Sequence, residues 1–192
     1  IGSMPHDTLS DVLRSVRLRG AVFYYVSGGA EWAAEAPAAQ EIAAAVMPGI
    51  EHVMEYHVMT KGAGWAAIFG QPPVRLEEGD IVVFPHGDPH VISSAPGLRP
   101  ANTDPKWFFA TRDDPKPIPI AYQGVEQFSV GAIAADAPTN VICGFLGCDL
   151  RPFNPLIATL PRLLRVSASG EGRWIAQAMQ QAIDAAQHHR PG

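Results

Sequence analysis

The chain is poor in cysteine, in charge and in long apolar runs. Two cysteines in 192 residues cannot build a disulfide framework. Charged residues make up only 17%, and Lys plus Arg (14) fall short of Asp plus Glu (19), for a net charge of −5. Binding to a phosphate backbone requires a basic face, so this balance gives the chain no electrostatic reason to hold nucleic acid by itself. No apolar stretch approaches the roughly 20 residues of a spanning helix, and no secretory signal is visible, so a cytoplasmic chain without a membrane partner is expected. What the sequence has instead is apolar bulk, 47% of residues, with 18 glycines and 18 prolines. That combination supports a buried core cut by many turns, which favours β structure over a helical bundle.

Ile1-Gly2-Ser3 reads as a cleavage scar ahead of a native start at Met4. A first helix is expected from Asp7 or Ser10, with Leu9, Val12, Leu13 and Val16 on one face and Gly20 at its end. Ala21 to Val26 reads as a strand, and the Ala-rich stretch 30–47 is ambiguous between lip, short helix and irregular strand. Strands are then expected at Ile50–Met59, Trp65–Phe69, Val74–Leu76, Ile81–Phe84 and His90–Ile92, with a hairpin turn over Thr60–Gly64. The proline-rich excursion 95–124 reads as a long loop, followed by strands at Glu126–Ala132 and Thr139–Leu150. Asn154 suits an N-cap with Pro155 at the first helical position, ahead of Leu156, Leu160, Leu163 and Leu164. A last helix is expected over about 172–188, whose apolar stripe would either pack on the β domain or form a dimer interface.

The densest signal is Gly79-Asp80-Ile81-Val82-Val83-Phe84-Pro85-His86-Gly87-Asp88-Pro89-His90. It fits the second motif of the cupin superfamily: glycine, five residues, proline, one residue, glycine, two residues, histidine. The glycines supply turns, and the last turn delivers His90 to a strand that faces the interior, where an imidazole can bind a divalent metal. The bland alternative is a hairpin turn with an incidental histidine. The first cupin motif is degraded. Glu55, six residues and Gly62 fit its second half, but Gly49 and Glu51, or residues within Met47–Ile50 in the longer spacing, stand where its two histidines belong. His52 would face away from Glu55, whereas His57 shares its face because strand side chains alternate. His57 is therefore the natural replacement ligand, or else a satisfied core histidine. In Val141 to Leu150, alternation puts Cys143 and Phe145 on the face opposite to Cys148. Cys143 is either a third ligand, giving a good zinc set with two imidazoles, or a buried small hydrophobe. His86 is either a fourth ligand or a turn-stabilising side chain. The expected metal set is thus His57, His86, His90 and Cys143, with zinc the expected ion. Glu55, Trp65, Trp107 and Phe145 are the expected pocket residues.

In order along the chain, the segments Asp11–Val22, Tyr56–Gly62, Leu76–His90, Val141–Phe145 and Asn154–Pro161 resemble the N-terminal cupin domain of AraC-type transcription regulators. The resemblance implies a mainly β fold, a cupin-type (RmlC-like jelly-roll) β-barrel over residues 4–150 with C-terminal helices over 151–192. It implies an effector-sensing, dimerising domain that is not an enzyme. DNA binding would belong to a C-terminal helix-turn-helix part that is missing here, so the chain reads as the front of a longer protein. The departures are the 30–47 segment and the 95–124 loop, whose Trp107, Phe108 and Phe109 would form either a lid or core plugs. The competing reading is a metal-dependent cupin enzyme, a small dioxygenase or isomerase, and a third is a metal-free binding barrel.

Overall fold

The computed structural model describes residues 19–101, 103–149, 155–169, 177–179 and 181. The chain order is β1 (Arg19–Gly28), β2 (Ala33–Ala36), α1 (Ala39–Val46), β3 (His52–Lys61), β4 (Ala63–Ile68), β5 (Val74–Glu77), β6 (Ile81–Phe84), β7 (His90–Ser93), α2 (Lys106–Ala110), β8 (Ile118–Tyr122), β9 (Phe128–Val130), β10 (Thr139–Cys148), α3 (Pro155–Thr159) and β11 (Leu164–Val166). The fold is mainly β, in two sheets. One has seven strands in the order β11-β6-β3-β10-β1-β8-β9, the other four in the order β2-β7-β4-β5. Pairing is antiparallel except between β1 and β8.

Two sequence expectations change here. The expected closed barrel is two facing sheets, and among the described residues no ladder joins them. The expected hairpin at Thr60–Gly64 is a corner: β4 leaves β3 and pairs with β5 and β7 in the other sheet. Gly62 makes that corner with φ +77°, and a side chain there would run into the carbonyl of Pro138. The turn from β6 to β7 crosses between the sheets in the same way. Gly87, at φ +66°, lies close enough to Ala39 that an added Cβ would sit 2.7 Å from that methyl group.

The 30–47 segment resolves into β2 and α1, with Ala39, Ile42, Ala45 and Val46 buried. The 95–124 excursion is not all loop, since it contains α2 and β8. The expected stripe Leu156–Leu164 is not one helix. α3 ends at Thr159 because Pro161 disfavours helical geometry in the residue before it, and Leu164 begins β11. Gly20, expected to end a helix, lies in β1. The expected first helix, the Asn154 cap and most of the expected last helix lie outside the described residues.

The core lies between the sheets. On β3, Val53 and Met59 face inward with the site residues described below, while Tyr56 and Val58 join Tyr25 and Ile142 on the outer face. With both faces covered, β3 is buried at every position from Val53 to Met59. Met179 packs against that outer cluster. No helix among the described residues is long and apolar enough to cross a membrane.

Candidate metal centre and cavity

β3 presents Glu55 and His57 on its inner face, two residues apart and both buried. β7 presents His90 from the opposite sheet, fully buried. One donor atom from each of the three falls within 4.8 Å of the others. His90 Nδ1 donates to the carbonyl of Asp88 at 2.8 Å, so the proton sits on Nδ1 and Nε2 is bare. That bare nitrogen accepts from Nε2 of His57 at 2.7 Å, and Glu55 Oε2 stands 3.7 Å from it. Two buried atoms of the cluster then have no hydrogen-bond partner, Glu55 Oε1 and His57 Nδ1. Unpaired buried polar atoms are costly, and a cation is one remedy. Phe84 stacks on the His90 ring, with centroids 3.5 Å apart and planes 12° apart, which holds that ring in place.

Burial sets the protonation of this cluster. It holds the Glu55 carboxyl well above the ordinary carboxylate range. Burial, helped by the neighbouring His90, pushes His57 well below the usual imidazole value. His90 is pushed down to about 4, again by burial. The cluster is thus built of neutral groups. The donors fit a divalent cation: two imidazoles and one carboxylate converge, and His90 is oriented through its second nitrogen in the manner of metal-bound histidines.

A cavity of about 160 Å³ adjoins the cluster, and Glu55 and His57 line it. Tyr24, Trp107, Phe108, Tyr122, Phe128 and Phe145 supply an aromatic wall. Tyr24 and Trp107 lie 5.2 Å apart, and Tyr122 and Phe128 5.4 Å. Glu35, Asp104 and Glu126 also line it, with no lysine or arginine among the lining residues. Cys143 lines the cavity too, directly across the ladder from His57. Burial, then the proximity of Glu55, pushes its thiol up.

The structure therefore brings together His57, His90 and Glu55, and places Cys143, Trp107 and Phe145 in the adjoining cavity. Cys143 is outside the three-donor group. His86 is exposed and donates through Nε2 to the carbonyl of Leu160 at 2.9 Å, away from the cluster, so it holds the turn. Trp65 lies in a separate surface groove with Phe69 and Arg99 nearby. Trp107 and Phe108 line the cavity, whereas Phe109 is exposed. Sequence reasoning missed Tyr24, Tyr122, Phe128 and the three peripheral carboxylates. The irregularity between Val22 and Tyr24 changes the alternation of β1, and no local pattern announces it.

A family model described as Cupin matches residues 7–192. The chain is a cupin. No curated protein matches it. Cupins often bind metals, and buried Glu55, His57 and His90 could hold one here.

Proposed function

We propose that this cupin is the ligand-sensing and dimerising domain of an AraC-type transcription regulator, with a divalent metal, zinc in the first instance, held by Glu55, His57 and His90. The observation that carries the reading is the aromatic cavity that opens directly onto a buried three-donor cluster. Such a cavity takes a small molecule, and its few polar groups orient it. A metal at the cluster would add a Lewis-acid contact for one polar atom of the effector. The aromatic wall would bury the rest. Glu35 is already held by Arg99, but Asp104 and Glu126, with no lysine or arginine among the lining residues, favour an effector bearing an amine over one bearing an acid. Ligand binding matters to regulation only if it prefers one arrangement of the chain, and the β3–β4 corner and the β6–β7 turn both join the cluster strands across the two sheets. DNA would be bound through a separate helix-turn-helix part, and a homodimer in the cytoplasm would present two such parts.

One observation favours the second reading, a metal-dependent cupin enzyme. Two imidazoles and a carboxylate are also the donor set of non-haem iron oxygenases, and Cys143 stands outside the cluster. Metal analysis of the purified protein beside His90→Ala separates the two. Stoichiometric zinc lost in the variant, with effector-dependent reporter output from the parent gene, supports the sensor. Iron or manganese with oxygen uptake supports the enzyme.

A further inference from the structure

We propose that residues 160–168 form a strap whose docking is coupled to occupancy of the metal cluster, with Arg162 as the positioning residue. The inference rests on the metal reading given above. The strap touches the His90 turn, then β6, then the Asp80 turn in succession. Leu160 accepts from His86 at 2.9 Å. Arg162 grips both carboxylate oxygens of Asp88, through Nε at 3.0 Å and through Nη2. Leu164 to Val166 pair with Val83 to Ile81 of β6. Arg165 donates from Nε to Asp80 at 2.8 Å, and the amide of Ala168 donates to the same carboxylate at 2.7 Å. Asp80 is 1% exposed and also caps the turn by accepting from the Glu77 amide at 2.8 Å.

Two of these contacts lead directly to the cluster. Asp88 is held by the strap through its side chain, and its carbonyl fixes the His90 tautomer. β6 is held by the strap along its backbone, and its last residue, Phe84, stacks on the His90 ring. A strap in place therefore presents the bare Nε2 of His90 to the interior. A strap released frees Asp88 and loosens that aim. Partners that orient a metal-bound histidine through its other nitrogen change affinity by about 10- to 100-fold. Coupling of this kind is reciprocal: whatever factor the strap lends to the metal, the metal lends to the strap. Arg162 itself is half exposed, so its ion pair adds little to global stability. Affinity and stability are thus expected to separate.

The test uses zinc as the probe, on the whole chain. Calorimetric titration of wild type gives the zinc Kd, and amide hydrogen exchange is followed with and without zinc. Arg162→Ala is expected to raise Kd about 10-fold while moving the metal-free Tm by no more than about 2 °C. Arg162→Lys recovers part of the affinity. Arg112→Ala, which breaks a surface pair with Asp113, leaves Kd unchanged. In wild type, zinc slows exchange across 160–168, with the Ala168 amide as reporter. Zinc binding to Arg162→Ala at the wild-type Kd overturns the proposal. So does unchanged exchange of the strap in zinc-loaded wild type, an arm that needs no variant to fold. If wild type takes up no zinc, the metal reading falls and the strap proposal with it. If wild type binds zinc and either of the other results fails, the strap proposal alone falls.

Discussion

Replacing Glu55 by Gln in chelator-treated protein is expected to steepen the loss of stability in acid. The wild-type cluster holds two opposing pH dependences. The imidazoles of His57 and His90 are pushed below their ordinary value by burial, so the unfolded chain takes up protons first as the pH falls. Their contribution is full above pH 6.5 and is lost as the pH falls toward the folded value. For His90 the gap runs from 6.5 to about 4, and at about 1.36 kcal/mol per pH unit it amounts to about 3 kcal/mol. By pH 4.5, about 2 kcal/mol of that is already gone. Glu55 acts with the opposite sign. Its raised carboxyl lets the folded state keep a proton that the unfolded chain releases above about 4.5, so this contribution is present in acid and is lost as the pH rises. Gln keeps the shape and removes the titration. Urea midpoints from tryptophan fluorescence at pH 7.0 and 4.5 decide the matter. Glu55→Gln is expected to lose about 2 kcal/mol or more across that interval, and wild type less. Parallel stability curves would refute the assignment of a neutral, buried carboxyl to this cluster.

Two further outcomes follow from the same geometry. Phenethylamine is expected to quench or shift Trp107 emission at concentrations about 10-fold below phenylacetate, because carboxylates and aromatic faces line the cavity and no lysine or arginine does; tighter binding of phenylacetate would contradict this. Asp80→Asn removes a buried charge that accepts from two backbone amides and from Arg165, and is expected to cost about 3 kcal/mol, a loss read from urea unfolding.

The sequence made the β6–β7 stretch legible because its glycines and proline carry their own reasons. Gly79 and Gly87 do take positive φ, and His90 does reach the interior. Alternation along β3 placed Glu55 and His57 on one face, which the structure keeps. Partners across sheets were not legible. That Cys143 lies beside His57 but outside the donor group depends on the β3–β10 ladder and on the distance between sheets, and strand periodicity fixes neither. His86 looked like a ligand because it sits within a metal motif. Its actual partner is a carbonyl 74 residues away, beyond any local pattern. The closed barrel failed for a related reason: closure depends on edge strands finding each other, and short strands do not state their partners.

The titratable side chains at the cluster end of the cavity and two tyrosines of its wall share one property. Burial raises Tyr24, Tyr122, Glu55 and Cys143 and lowers His57 and His90, so each group is held in its neutral form. A site that suppresses its own charges in this way is poor at binding anions and costly to protonate. It becomes charged only when a cation arrives from outside, because a cation reverses the preference of the carboxyl and stabilises the bare imidazole nitrogens. The unpaired Glu55 Oε1 and His57 Nδ1 are the local expression of that arrangement. The same argument explains why Cys143 lies beside the cluster without belonging to it. A neutral thiol completes an apolar wall, whereas a thiolate there would place a charge where burial disfavours one. A metal held by the cluster would therefore add positive charge at the foot of the aromatic wall.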